Sequence, residues 1–379
     1  MAERISQMNW VADELFRIDH KMQAQLKRIG NGIPYISLKG NYDNKLKTDI
    51  AWWTNGFYGG VNWQLFSITG NKIYKEKAIN LENQLDLALS EFEHLHHDVG
   101  FMWLPTSVIH NKLLPNRRSY QRSIHAANIL AARYNSKGQF IRAWNREQTE
   151  VDCSGWVIID SMMNIPLLFW ASLELDDPRF KQIAVNHAHS IARNLVREDG
   201  SVNHIGVFDA YTGDFLESQG GQGFSSDSSW SRGQAWAIYG FALTYKYTED
   251  AFFLNVAKKV AHYVLSHLAQ TDYLARIDFR APKTTEDTDA SATAIIACGL
   301  LEISNHVEGN EKAFYQDNAI KILEKLSEIA NYDDNYDGII HGCAVRYHDE
   351  LEKNSSLIYA DHYYIEGLLK LIGKELEIW

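Results

Sequence analysis

One carboxylate stands out by its company. Asp160 follows Trp156-Val-Ile-Ile and precedes Ser-Met-Met-Asn-Ile-Pro-Leu-Leu-Phe-Trp, a run that reads as one buried inner helix with no other charge. Among such neighbours a carboxyl group must be hydrogen-bonded, paired, or kept protonated by a raised pKa. The last state is what a general acid needs near neutral pH. The other reading is a buried Asp that braces a loop, because perturbed carboxylates mark sites without proving them. A second candidate is Asp98, in Glu-His-Leu-His-His-Asp. There His94, His96, His97 and Asp98 crowd five positions. Zinc on such residues would want an HExxH helical pair or cysteine partners, and neither is present. The spacing therefore favours a hydrogen-bonded acid–base loop and no metal. Any one of these histidines can also be a satisfied polar residue at a helix end.

Ser225 to Trp236 combines small hydroxyls with Trp230, Arg232 and Gln234. An arginine there can grip a substrate carboxylate through two parallel hydrogen bonds, although serines ahead of a helix are also plain N-caps. Trp53, Trp144, Trp230 and Trp236 could stack on sugar faces. Core packing is the ordinary fate of a tryptophan, and only loop placement tilts Trp144 and Trp230 towards a site. The Gly-rich Gln219–Phe224 stretch lacks the Lys-Ser/Thr of a phosphate loop.

What must position these residues is a repeat. Four segments share one grammar: an apolar helix, a short polar break, an aromatic, then an amphipathic helix. The breaks are Gly70-Asn71, Asp176-Asp177-Pro178, Glu249-Asp250 and Gly309-Asn310. A helix from Arg118 to Tyr134 and a terminal one from His362 are less complete members. The first helix of each pair is apolar all round and should be buried on every side. The second has one apolar stripe, such as Val256, Val260, Val264 and Leu265. Buried inner helices and striped outer ones, repeated about six times, predict an all-α closed ring, the (α/α)6 barrel. Ser201 to Leu216 alternates and should form a small β-hairpin.

Residues 1–379 read as a single domain, with no Pro/Ser/Gly-rich linker. The chain has six Pro, 45% apolar residues, 12% aromatic residues and eleven Trp. That excludes a disordered chain, a collagen repeat and a disulfide scaffold. A net charge of −11 argues against nucleic-acid or anionic-membrane partners, so an anionic substrate would need local cations. Cys153, Cys298 and Cys343 have no C-x-x-C spacing, which suits a reducing compartment. Residues 1–10 show no signal peptide. Trp156–Leu175 contains Asp160, Asn164 and Pro166 and reads as core rather than a membrane span.

With these residues in view, Leu95-His-His-Asp-Val-Gly-Phe101, Trp156–Ala171, Ser229–Leu243 and Asp289–Ile303 together resemble the unsaturated glucuronyl hydrolases of glycoside hydrolase family 88. The likeness runs from about Trp52 to the C-terminus with the motifs in order. It implies the (α/α)6 barrel, no metal or other cofactor, and a cytoplasmic enzyme, monomeric or weakly homo-oligomeric. The implied substrates are unsaturated uronic-acid disaccharides and oligosaccharides left by polysaccharide lyases, glycosaminoglycan types included. The chemistry implied is hydration of the C4=C5 vinyl ether in the terminal sugar, not the ordinary two-carboxylate attack at the anomeric carbon.

By motif, Asp160 matches the family's acid/base and Asp98 its second essential aspartate. His204 and Gln222 match polar contacts to the unsaturated sugar. Trp53, Trp144, Trp230, Arg232 and Trp236 match the aromatic and basic lining, and His97 joins the network. Two departures stand out. Gly221 occupies a position where the resemblance leads one to expect His. Leu351–Tyr359 replaces an aromatic-rich loop, and there Lys353, Ser355 and Ser356 could meet a sulfate on the second sugar, against the reading of a solvated loop. The alternatives are an unsaturated rhamnogalacturonyl hydrolase, a sugar epimerase, and a non-catalytic carbohydrate-binding barrel. The His-His-Asp aspartate favours the glucuronyl family.

Overall fold

Two kinds of helix alternate along the chain. The computed structural model describes residues 2–145, 151–282 and 287–379, with only the backbone of 2–8. The apolar helices Phe57–Thr69, Pro166–Leu175, Ser231–Thr248, Ala290–Ser304 and Ile358–Leu371 form an inner ring with residues 99–113. Ala290–Ser304 is buried along its whole length. Residues 99–113 are less regular: Val99–Trp103 is α-helical, Leu104–Val108 makes a π turn containing Pro105, and Ile109–Leu113 is α-helical again. Each inner helix packs on the next, and Ile358–Leu371 meets Phe57–Thr69 to close the ring.

The outer helices are Lys72–Gln84, Arg117–Ala131, Pro178–Asn194, Ala251–Leu268 and Gly309–Ile329. The sixth position was not legible as a repeat. Ala2–Ile29 supplies it from the other end of the chain, packing on Ile358–Leu371. Its buried Val11, Leu15, Ile18, Met22 and Leu26 recur at helical spacing.

The polar breaks have one physical job. Gly70, Asp176 and Glu249 adopt left-handed φ values (67°, 50° and 58°) that end the inner helices. Asn71, Asp177 and Asp250 then accept from the backbone N–H two residues on and start the outer ones. The expected hairpin is present as strands Ile205–Phe208 and Phe215–Gln219, extended by Trp156–Ile158 into a three-stranded antiparallel sheet. Asp209 shapes the turn by accepting from the Tyr211 and Thr212 amides, both at 2.8 Å.

Because hairpins alternate, all six inner helices run parallel and their N-termini gather at one rim. Trp379 lies inside the barrel, stacked on Tyr363 (centroids 5.7 Å apart, 18°), with its indole N–H donating to Glu366 Oε2 at 2.8 Å. No helix of the described residues is long and apolar enough to cross a membrane.

Candidate active site

Asp160 does not interrupt an inner helix, as its sequence surroundings suggest. It sits on a 3-10 turn, Ile159–Met163, between the strand Trp156–Ile158 and the helix that begins at Pro166. Proline is tolerated at that first helical position. The turn is held from outside the ring by His187 on Pro178–Asn194. The Ile141 amide donates to its Nδ1 at 3.0 Å, which leaves the proton on Nε2, 2.7 Å from Ser161 Oγ. Burial pushes the His187 pKa down to about 3, so the ring stays a neutral brace.

Asp98 caps the next rim position, ahead of Val99–Trp103. Asn164 ties the two acids together. Its Nδ2 donates to Asp98 Oδ1 at 3.0 Å and to the Asp160 carbonyl at 3.2 Å, while its Oδ1 accepts from the Phe101 amide at 2.8 Å. Gly100 permits this approach, since a Cβ there would stand 2.5 Å from the Asn164 Cα. Sequence reading noted Asn164 only as a polar residue in an apolar run. Its spacing of four from Asp160 was the available signal.

The two carboxyls sit in opposite electrostatic surroundings. Asp160 has a side chain 15% exposed, and its Oδ1 has no hydrogen-bond partner among the described residues. Desolvation, then the charge of Asp98, push its pKa up to about 8 against the pull of Arg232. Burial acts on Asp98 in the same direction. There His97, His96 and the Asn164 hydrogen bond outweigh it and hold the carboxyl below its ordinary range. Asp98 Oδ2 lies 3.3 Å from His96 Nδ1 and 3.4 Å from His97 Nε2. Near neutrality the rim therefore carries one protonated and one ionised carboxyl.

His204 faces Asp160, with Nε2 3.8 Å from Oδ1. Its Nδ1 lies 3.0 Å from the Gln222 amide nitrogen and 3.1 Å from the Gly220 carbonyl oxygen, which fixes the ring against the Gly-rich loop. Burial lowers its pKa to about 3, and its ring lies 4.2 Å from that of Trp230. Gly221 has a physical reason here. Its φ is +68°, and a Cβ would fall 2.2 Å from His204 Nδ1, so no larger residue fits. The Gln222 side chain donates to the Val345 carbonyl at 3.1 Å.

Arg232 differs from the expected substrate clamp. It is 1% exposed and bonds Asp289 Oδ2 at 2.5 Å and the Ala344 and Val345 carbonyls at 2.6 Å each. Both Nη atoms are thus engaged with protein. The guanidinium lies over Trp230 (4.5 Å) and Tyr359 (5.5 Å), and it acts on Asp160 as a fixed charge. Arg232→Met should strand the buried Asp289 carboxylate and cost about 3–5 kcal/mol in urea unfolding. A loss below about 1 kcal/mol would mean that the pair does not brace the rim.

The tryptophans divide. Trp53 is half-buried and packs on Tyr359 (5.1 Å) and Phe101 (5.4 Å), and Trp144 is half-buried beside Trp156 (5.7 Å). Trp230 is buried at the rim with its indole N–H unpartnered among the described residues. Trp236 points into the core between Phe101 and Tyr363. Tyr359, missed in the sequence, has an unpartnered buried hydroxyl close to Trp53 and Arg232. Lys353 is not a free cation: 9% exposed, it pairs with Asp287 (2.8 Å) and Glu350 (2.6 Å). Ser355 Oγ is 3.4 Å from the Cys343 carbonyl, and Ser356 is buried in the strand beside Ile36–Leu38. These three side chains do not converge on an anion site. Among the described residues, His96, His97 and Asp98 are the one group of three side chains spaced to hold a metal ion.

Residues 34–367 match the family model for Glycosyl Hydrolase Family 88. The chain belongs to that family. It is 33% identical to an unsaturated glucuronyl hydrolase of Bacillus sp. (strain GL1), over 91% of this chain and 92% of that one. It is 34% identical to an unsaturated chondroitin disaccharide hydrolase of Streptococcus pyogenes serotype M1, over 85% and 82%. Among solved structures, the unsaturated glucuronyl hydrolase from Bacillus sp. GL1 superposes with a TM-score of 0.89 at 30% identity, covering 96% of each chain. A mutant unsaturated glucuronyl hydrolase from Streptococcus agalactiae complexed with dGlcA-GalNAc6S does so at 0.82 and 26%, covering 96% of this chain and 91% of that one. The (α/α)6 barrel of this family-88 glycoside hydrolase is thus shared with its relatives.

Proposed function

We propose that this enzyme is an unsaturated glucuronyl hydrolase acting on lyase-derived disaccharides and oligosaccharides, including the chondroitin and hyaluronan types. The observation that carries the reading is a pair of carboxyls in unequal surroundings, a desolvated Asp160 with an Oδ1 unpartnered among the described residues and an Asp98 held by His96, His97 and Asn164, with Asn164 bonded to both residues. Asp160 donates its proton to C4 of the unsaturated sugar, and the ring oxygen stabilises the cation that develops at C5. The Asp160 carboxylate then takes a proton from the water that adds at C5. The hemiketal so formed opens and releases the second sugar. Asp98 holds sugar hydroxyls and raises the proton affinity of Asp160. His204 and Gln222 contact the unsaturated sugar, with Trp53, Trp144 and Trp230 around it.

In this reading residues 1–379 work as one catalytic domain. The outer helix Ala2–Ile29 supports this, because it completes the ring around the last inner helix. The three buried unpaired cysteines support a cytoplasmic location. The test is the ultraviolet absorbance of the conjugated alkene after unsaturated chondroitin or hyaluronan disaccharide is added. The signal should disappear and the second sugar should be released. Disaccharide recovered unchanged would support a carbohydrate-binding barrel instead, and faster turnover of a galacturonyl-rhamnose substrate would move the assignment to the rhamnogalacturonyl enzymes.

A further inference from the structure

We propose that His96, His97 and Asp98 form a binding site for a divalent transition-metal ion of the zinc type, and that an ion bound there inhibits the enzyme. The linear spacing argues against a metal because it matches no helical ligand pair. The fold changes that. The chain runs extended through Leu95 and bends at Asp98 (φ −83°, ψ 12°), so neighbouring side chains converge. Asp98 Oδ2 lies between the two rings, 3.3 Å from His96 Nδ1 and 3.4 Å from His97 Nε2, and the three donor atoms all fall within 4.8 Å of one another.

Zinc bonds of about 2.0–2.1 Å at tetrahedral angles place neighbouring donors about 3.3–3.4 Å apart. Two edges of the ligand triangle already have that length. The third can close by rotation of the His96 ring, whose side chain is the most exposed of the three. The other oxygen of Asp98 is held by Asn164 Nδ2 at 3.0 Å, an outer contact that orients a ligating carboxylate. Two imidazoles and one carboxylate suit zinc, copper, nickel or cobalt better than magnesium or calcium. Three protein ligands leave a position for water.

The inhibitory part rests on the proposed function, because it assumes that Asp98 must be available to the sugar. The binding part rests on the geometry alone. Zinc chloride titrated calorimetrically into Asp160→Asn, which keeps all three donors, should show one saturable site per chain. Cobalt chloride should give the visible absorption of a low-symmetry N/O site. His96→Gln should weaken both by about tenfold or more. In the wild-type enzyme, zinc should compete with disaccharide, EDTA should reverse the effect, and the half-inhibitory zinc concentration should rise by a similar factor in His96→Gln, read against that variant's own metal-free rate. Absence of calorimetric binding, or equal binding by His96→Gln, overturns the site. Binding without competition overturns the inhibitory role. Should no disaccharide be turned over at all, the functional reading fails, while calorimetry and cobalt absorption still decide the metal.

Discussion

Asp160→Asn should lower turnover of unsaturated disaccharide by about 10²–10⁴-fold or more, the range that a positioned general acid contributes. The amide has nearly the same shape, so the substituted protein should remain folded, and alkene absorbance measured on it reports chemistry alone. Substantial residual turnover would remove Asp160 from the acid role. The wild-type pH profile carries the same assignment. Burial and the Asp98 charge push the Asp160 pKa up to about 8. The acid form therefore persists through neutrality, and kcat/KM should fall on an alkaline limb near pH 8.

A stability change of defined sign goes with this. An unfolded chain releases the Asp160 proton near pH 3.9. Between about pH 4 and 8 the native state thus binds one more proton than the unfolded state, and stability falls as pH rises by about 1.4 kcal/mol per unit. The contribution is fully present below pH 4 and is lost as pH climbs through 8. Asp160→Asn removes that dependence. The inactive variant should outlast wild type in thermal melts at pH 8 by a few kcal/mol and match it near pH 4. Equal melting at both pH values would mean that the carboxyl ionises freely in the folded protein.

Asp160 could be read from the sequence because a lone charge in a long apolar run needs a reason wherever the backbone goes. The backbone itself was less legible. Trp156–Leu175 looks like one buried helix, yet strand, 3-10 turn and helix divide it, because Trp156–Ile158 pairs with Ile205–Phe208. That pairing is a long-range contact with no local signal. The repeat grammar was legible because left-handed closures and Asx caps are local chemistry. The outer helix Ala2–Ile29 was not, because its partner lies at the other end of the chain.

Arg232 shows a similar limit. Residue type says that it can hold a carboxylate, but only the fold says which one. Asp289 and two carbonyls take its Nη atoms, so its influence on the substrate is a fixed field. Trp236, inside the helix Ser231–Thr248, and Trp53, in the turns ahead of Phe57–Thr69, are chemically alike and are separated only by where the backbone places them. Asn164 and His187 were missed because an amide and an imidazole inside apolar runs look like tolerated exceptions until their partners are known.

Asp98→Asn should also cost about 10²-fold or more in turnover, with a pH signature that separates it from the loss of the acid. The charge of Asp98 is the second cause of the raised Asp160 pKa, after desolvation. Removing it lets Asp160 ionise more easily, so the residual activity of Asp98→Asn should show its alkaline limb at lower pH than wild type. An unmoved limb would mean that the two carboxyls do not communicate. The stability effect is opposite to that of Asp160→Asn. The folded pKa of Asp98 lies below its ordinary range, so its contribution is present above about pH 3.9 and disappears as pH falls through the folded value. Asp98→Asn forfeits that contribution at neutral pH and loses nothing in strong acid. One site thus holds two aspartates whose replacement by asparagine shifts stability in opposite directions near neutrality. Unequal surroundings for two chemically identical side chains produce that pattern, and they are also what leaves one of them protonated to act as the acid.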